Sequence, residues 1–222
     1  MKKISILSIV SLFLLLSCNN DKTSKTKESN EPNAIKEMKK STSTQPRWQL
    51  DQDASSVHWT GYKTTQKVAV SGTFQKFAIS GVKPNIDLLK TIEGARIKIN
   101  VFSIFSDEES RDKKLVEYLF GHMMDTNSIA ARVEKIHPDN QTVDVNINMN
   151  NHEKIIPMQL QVDTKKGLIT MSGKIDLVKD FDAAEPLYFL HTTCFDLHKG
   201  EDGISKTWSD VGIKAVLKFV KK

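Results

Sequence analysis

The sequence is poor in cysteine, has no long apolar run and carries no concentrated charge. Its two cysteines, Cys18 and Cys194, are far apart, so the chain lacks the CxxC pair typical of many zinc sites. The longest apolar run, residues 4–16, is shorter than the roughly 20 residues that span a bilayer. Lysine and arginine total 32 against 27 acidic residues. Because binders of polyanions show a concentrated basic face, we predict that nucleic acid is not a partner.

The N-terminus is organised like the signal peptide of a bacterial lipoprotein. Two lysines precede the apolar run, and Ser17 is the small residue that a signal peptidase needs before its cut. Leu15-Leu16-Ser17-Cys18 resembles a lipobox, in which the cysteine receives lipid on its sulfur and becomes the mature N-terminus. We therefore predict a signal peptide over residues 1–17 and lipidation of Cys18. The alternative is an ordinary secretory signal that ends by coincidence in a cysteine.

Lipidation at Cys18 would tether the mature chain to a membrane of the bacterial cell envelope, facing the periplasm. We favour the outer over the inner membrane and leave exposure at the cell surface open. Residues 18–46 are rich in Lys, Ser, Thr, Asn and Glu and contain no aromatic residue, so we predict a disordered linker. Its 28 residues after Cys18 would span about 30 Å. With Cys18 lipidated, Cys194 has no disulfide partner, and we interpret it as a small buried residue rather than a reactive thiol.

From Arg47 onward, apolar residues alternate with polar ones, which is typical of strands with one buried face. In residues 143–149, Val143, Val145, Ile147 and Met149 alternate with Asp and Asn. The same period recurs in residues 95–101, 129–133, 156–162, 169–177 and 211–219, and earlier strands fit residues 48–50, 55–63 and 67–80. Short turns at residues 138–140, 150–151 and 165–167 predict an antiparallel meander.

The third strand changes phase between Phe74 and Phe77, which predicts a bulge or bend there. Gly72, just before it, is the expected point of close backbone approach. Two segments have helical periodicity instead. Residues 106–109 have the form of a capping box that starts a helix ending near Gly121, and residues 182–203 carry apolar side chains at helical spacing. We therefore predict an all-β fold, an antiparallel β-barrel of about eight strands with two short helices, since a barrel leaves no exposed edge.

Five segments then resemble the YceI-like family of lipid-binding and polyisoprenoid-binding proteins. In chain order they are WQLD (48–51), SSVHWTGYK (55–63), SGTF (71–74), RDKKL (111–115) and KTWSDV (206–211). The resemblance implies a lipocalin-like barrel over residues 47–222 whose apolar interior holds an isoprenoid or similar long amphiphile in the periplasm. The segment 181–203 departs from it by being longer and more helical than a hairpin, which leaves the ligand's size and the open end of the barrel undecided.

The interior of the barrel is the predicted binding site. An eight-stranded barrel is near the size at which side chains either fill the interior or leave room for one small ligand, and the sequence leaves both open. Methionine suits a cavity for a long flexible chain. The candidate cavity residues, each also compatible with a packed core, are Phe74, Ile97, Ile99, Val101, Val145, Ile147, Met149, Met158, Leu160, Met171 and Leu177.

Catalytic and metal-binding patterns are missing from the sequence. The six histidines show no HExxH spacing, and there is no Gly-rich phosphate loop or GxSxG motif. We expect His191 to face the core and His198 the surface, no metal and no cofactor. An enzyme becomes credible only if His191, Cys194, Asp196 and His198 meet in one cleft.

The predicted function is a membrane-tethered, non-catalytic carrier of a long-chain isoprenoid or other amphiphilic lipid. The alternative is a structural lipoprotein with a filled barrel that docks an envelope partner. The sequence identifies no protein partner.

Overall fold

The computed structural model describes residues 45–125 and 127–222. The predicted signal peptide, Cys18 and the linker up to residue 44 lie outside these ranges. No helix within them is both long enough and apolar enough to cross a bilayer.

One antiparallel sheet of ten strands forms the body of the fold. Its strands lie in the order β3-β4-β6-β7-β8-β9-β10-β1-β2-β5. They are β1 (Trp48–Lys63), β2 (Val68–Phe74), β3 (Phe77–Ser80), β4 (Arg96–Asn100), β5 (Ile104–Phe105), β6 (Ser128–His137), β7 (Thr142–Met149), β8 (His152–Asp163), β9 (Leu168–Asp176) and β10 (Asp210–Lys221).

The two edges of this sheet are joined through the chain itself. β2 leads into β3 across two residues, and β4 leads into β5 across a single 3₁₀ turn, Val101–Ser103. Across this junction the Gln75 amide donates to the Ser103 carbonyl at 2.9 Å, and the Asn100 amide donates to the Lys76 carbonyl at 3.0 Å. If β2 with β3, and β4 with β5, are each counted as one continuous ribbon, the ten strands of this curled sheet make eight, in agreement with the predicted count of about eight strands. The predicted change of phase between Phe74 and Phe77 is the bend that separates β2 from β3.

Alternation along the strands places apolar side chains inside the barrel. In β7, Val143, Val145, Ile147 and Met149 are all buried, while the residues between them are partly exposed. The turn from β7 to β8 consists of Asn150 and Asn151, both with positive φ (53° and 57°). Asparagine tolerates this left-handed conformation, so the predicted turn forms without glycine.

The first predicted helix is present but begins differently from the prediction. α1 (Glu109–Lys114) continues through a π-helical turn (Leu115–Leu119) and a 3₁₀ turn (Phe120–His122). The capping box is wrong, because the N-cap is Glu108, whose carboxylate accepts from the Ser110 amide at 3.2 Å. The Ser106 hydroxyl instead donates to Asp112 Oδ1 at 2.6 Å. A positive φ of 62° at Asp107 separates Ser106 from the helix start.

The described residues contain three α-helices rather than two, because a short helix precedes the second predicted segment. α2 (Leu177–Phe181) starts at the last residue of the strand that was predicted over residues 169–177. A helix begins there because the Asp176 carboxylate accepts hydrogen bonds from the amides of Val178 and Lys179 and caps it. α3 (Ala184–Thr193) follows, and its chain of apolar residues ends at the buried Cys194. Asp182 does not start α3. It ends α2 in the left-handed conformation.

Candidate functional site

A cavity of about 390 Å³ lies where the barrel meets the helical segments. Pockets for small ligands typically measure about 300–1,000 Å³ and are mostly apolar. The apolar side chains that line it come from barrel strands, from the turns that continue α1, from α2 and α3, and from the segment between α3 and β10. They are Trp59, Val70, Phe74, Ile104, Leu115, Leu119, Phe120, Ile129, Met149, Ile175, Leu177, Leu187, Leu190, Leu197, Trp208, Val211 and Ile213.

A second cavity of about 100 Å³ adjoins the first inside the barrel. Trp59, Phe74, Ile129 and Met149 are among the side chains that line both spaces. The interior of the barrel is therefore open in part, and the two spaces are neighbours that share these side chains.

The predicted candidates divide between the two cavities and the packed core. Phe74 and Met149 line both cavities, and Leu177 lines the larger one. The smaller cavity is lined by Ile97, Ile99, Val145, Ile147, Met158 and Met171. Val101 and Leu160 line neither. Both are buried, at 1% and 4% exposure, and Val101 lies in the 3₁₀ turn where the strand alternation has ended.

Sequence reasoning missed the helical half of the larger cavity. Leu115 and Leu119, spaced by four residues, and Leu187 and Leu190, spaced by three, present apolar faces to it. This spacing was sufficient to predict helices. It could not show that the helices cover a cavity, because that depends on how they pack against the barrel.

The larger cavity also has polar side chains, and three of them are cations. Lys63, at the end of β1, donates from Nζ to the Leu197 carbonyl at 3.4 Å. Arg111 and Lys114 are contributed by α1, and the acid Glu108 lies beside them. Within the described ranges, none of the three cations lies within 4.0 Å of a carboxylate oxygen.

Thr207 joins two histidines at this site. Its hydroxyl lies 3.0 Å from His191 Nδ1 and 2.6 Å from His198 Nδ1. Both histidines are half-buried. His198 lines the cavity, so its predicted surface position is wrong, and His191, which was predicted to face the core, does not line the cavity. Burial, then Lys63 and His191, lower the pKa of His198 to about 4.

This constellation does not have the features of an activated nucleophile. Cys194 is 5% exposed, and burial raises the pKa of its thiol, so it is protonated near neutral pH. His198 is neutral there, and Asp196 is exposed and paired with Lys199 at 2.6 Å. No group of three or more metal-ligating side chains occurs among residues 45–125 and 127–222. The absence of catalysis, metal and cofactor stays a prediction.

The segment around Trp208 attaches the last strand to the hairpin of β1 and β2. The Trp208 indole N–H donates to the Thr64 carbonyl at 2.8 Å, and the Thr64 amide donates to the Lys206 carbonyl at 2.8 Å. Lys67 pairs with Asp210 at 2.6 Å and lies 4.6 Å from the Trp208 ring. These contacts hold Trp208 in the wall of the cavity.

Comparisons with known proteins agree with this architecture. The crystal structure of BcnA from Burkholderia cenocepacia is 17% identical, with 76% of this chain and 98% of that chain covered and a TM-score of 0.52. A polyisoprenoid binding domain from Saccharophagus degradans, implicated in plant cell wall breakdown, is 14% identical, with 80% and 100% covered and a TM-score of 0.55. At these identities the likeness concerns the fold. No curated protein matches the chain.

A family model matches residues 48–219, from the first residue of β1 almost to the end of β10. This range includes the barrel, both cavities and the helices that cover them. The chain therefore belongs to the family of the YceI-like domain.

Proposed function

We propose that the protein binds a long-chain isoprenoid or another amphiphilic lipid in the barrel and is tethered to a membrane through Cys18. The observation that carries the first half is the mainly apolar cavity of about 390 Å³, with a second cavity of about 100 Å³ beside it in the barrel. Family membership and the polyisoprenoid binding domain among the similar structures support it.

The physical basis of binding is burial of the tail. Each buried methylene contributes about 0.8 kcal/mol, so ten buried carbons contribute about 8 kcal/mol before the costs of association are subtracted. The cavity is bounded by barrel strands and by the helices packed against them, and a preformed cavity lowers these costs. A carrier with such a cavity needs no catalytic group.

The tether gives the cavity its location in this proposal. A lipidated Cys18 and a linker of about 30 Å would hold the barrel close to a bilayer of the cell envelope, facing the periplasm. Amphiphiles are concentrated in that bilayer. Capture and return of a lipid would then avoid transport through bulk water.

The direct test is extraction of the bound molecule. The mature chain, residues 18–222 with Cys18→Ser, is purified and extracted with organic solvent, and the extract is analysed by mass spectrometry. We expect a long-chain amphiphile in stoichiometric amount, or uptake of one by the emptied protein. A protein that carries none and takes up neither isoprenoids nor fatty acids would contradict the proposal.

A matched pair of variants on α3 locates the ligand. Leu187 lines the cavity, whereas its neighbour Tyr188 is 64% exposed. In Leu187→Trp the indole occupies cavity space, and affinity should fall about fourfold for each methylene that it excludes. Tyr188→Trp places the same indole outside the cavity, in exchange for an exposed phenol, and should bind normally. Equal affinities of the two variants would place the ligand elsewhere.

The alternative function combined a filled barrel with docking to an envelope partner. The cavity argues against a filled barrel. The docking half is favoured by exposed apolar side chains on and after α3, since Tyr188, Phe195, Leu197 and Ile204 are 47–64% exposed. If the extracted protein is empty and Leu187→Trp has no effect on ligand uptake, this alternative becomes the better explanation.

A further inference from the structure

We propose that the larger cavity selects amphiphiles with an anionic head group, a carboxylate or a phosphate, which Lys63, Arg111 and Lys114 bind. This inference rests on the proposed function and adds the class of head group. It follows from the position of the three cations, from the absence of a salt bridge to any of them among the described residues and from the chemistry of the cavity wall.

Two separate elements place the three cations at one cavity. On α1, Arg111, Lys114 and Leu115 are spaced by three and four residues, so they share a face, and all three line the cavity. Lys113, between them in sequence, is 72% exposed and pairs with Glu109 at 2.7 Å outside it. Lys63 reaches the same cavity from the end of β1.

Lys63 and Lys114 both affect the charge state of Cys194. The ammonium groups of Lys63 and Lys114 both favour the thiolate of Cys194, against the burial that raises the pKa of this thiol. Cys194 lines the cavity at the end of α3. Both lysines, which line the same cavity, are therefore near enough to this residue to act on its charge.

The positive charge at this site exceeds the negative charge. Glu108 is the acid among the lining residues, against Lys63, Arg111 and Lys114. Its carboxylate already accepts a hydrogen bond from the Ser110 hydroxyl at 2.8 Å. His198 is neutral near pH 7, because its pKa is about 4. An excess of positive charge beside a mainly apolar cavity is complementary to a ligand with an apolar tail and an anionic head.

Carboxylate and phosphate fit these donors better than a neutral head does. The Arg111 guanidinium offers a planar fork that binds either anion in a bidentate manner, and its contacts to Ser106 oxygens, at 3.2 and 3.3 Å, occupy a single nitrogen. Hydrogen bonds to a charged partner are worth about twice as much as neutral ones. An alcohol of the same chain length would lose this contribution.

The test compares three amphiphiles that share a chain of the same length and differ in their head group. The mature chain with Cys18→Ser is loaded with N-phenyl-1-naphthylamine, a neutral apolar fluorophore, which is then displaced by laurate, dodecyl phosphate or dodecanol. We expect at least one of the two anions to displace the probe at a concentration at least tenfold lower than dodecanol does. In the triple variant Lys63→Gln, Arg111→Gln, Lys114→Gln, the preference should disappear while dodecanol binds as before. Lys113→Gln, the matched control on the outer face of α1, should keep it.

The outcomes separate this inference from the proposed function. If neither the fluorophore nor any amphiphile binds, the proposed function fails. If all bind but dodecanol competes as well as the anions, or if the preference survives in the triple variant, only the head-group inference is overturned. A preference for laurate identifies the head as a carboxylate, and a preference for dodecyl phosphate identifies it as a phosphate.

Discussion

Replacement of Gly72 by alanine should destabilise the protein and displace the largest side chain shared by the two cavities. Gly72 in β2 lies directly opposite Trp59 in β1. A methyl group at this position would lie 2.6 Å from Trp59 Cζ2 and would clash with the Phe105 carbonyl oxygen. The first contact requires the indole to move, and the second requires β5 to move, because a backbone atom cannot rotate away.

The expected magnitude follows from these contacts. Overpacking of a core position by one methyl group typically costs about 1–3 kcal/mol, and two simultaneous clashes favour the upper part of this range for Gly72→Ala. The Trp59 indole N–H is buried without a hydrogen-bond partner among the described residues, so packing rather than a polar contact holds the ring. The indole should therefore shift within the cavities, and the affinity for an amphiphile should fall with the stability.

Gly61→Ala is the matched control, because it adds the same methyl group beside the same ring. At Gly61 the new carbon would lie 3.9 Å from Trp59 Cζ3, which is ordinary van der Waals contact. A glycine-to-alanine change without strain typically stabilises by about 0.4–1 kcal/mol, because the unfolded chain loses freedom. The two variants should thus differ by about 1.5–4 kcal/mol in the free energy of unfolding.

Urea unfolding followed by far-ultraviolet circular dichroism measures this difference, and tryptophan fluorescence of the native variants reports the displaced ring. Equal unfolding free energies for Gly72→Ala and Gly61→Ala would refute the steric argument. An unchanged fluorescence spectrum of Gly72→Ala would show that the strand, and not Trp59, absorbs the clash.

Three further predictions concern the turn between β7 and β8 and two titratable side chains that line the larger cavity, the half-buried His198 and the buried Cys194. The Asn150 side chain donates to the Phe181 carbonyl at 2.7 Å and accepts from the Met124 amide at 2.8 Å. Asn150→Gly keeps the positive φ and should lower the free energy of unfolding in urea by about 1–3 kcal/mol. Asn151→Gly, in the exposed half of the turn, should lower it little, and equal losses would contradict the role of the Asn150 side chain. The pKa of His198 is about 4 in the folded protein and about 6.5, its ordinary value, in the unfolded chain. As the pH drops from 6.5 to 4, the unfolded chain binds a proton that the folded protein does not, so the free energy of unfolding should fall over this range. His198→Gln should show a smaller fall in melting temperature over this range, and identical pH profiles would contradict the assignment. In the chain with Cys18→Ser, Cys194 is the single thiol. Because this thiol is buried and its pKa is raised, it should react with Ellman's reagent far more slowly in the native than in the unfolded protein, and more slowly still with an amphiphile bound. A native rate equal to the unfolded rate would show that the cavity wall is open.

The strands were predictable because a strand with one buried face shows alternating apolar and polar residues in the sequence. The alternation around Val143–Met149 and the change of phase between Phe74 and Phe77 are local properties of the chain, and both appear in the fold. The start of α2 was missed for the opposite reason. Residues 169–177 continue a strand pattern, and the cap at Asp176 that ends it became visible only with the backbone in place.

The candidate site was predicted only in part, since the alternation identifies buried side chains and not the free space beside them. Phe74 and Leu160 have the same pattern in the sequence, yet Phe74 lines both cavities and Leu160 lines neither. Helical spacing gave the face of α3 without showing what it covers. The position of His198 was predicted wrongly because a loop of 16 residues after Thr193 brings Thr207 back against it.

By itself the sequence determined an antiparallel barrel of about eight ribbons, a family resemblance across the folded region, and a predicted lipid anchor at Cys18. These features depend on residue periods and short motifs, which are local. Only the tertiary structure decided that the barrel encloses unfilled space and that Lys63 meets Arg111 and Lys114 there. A cavity is the volume that packed side chains leave over, and a binding site joins residues that are distant in the chain. Neither can be obtained until the strands and helices have been placed against one another.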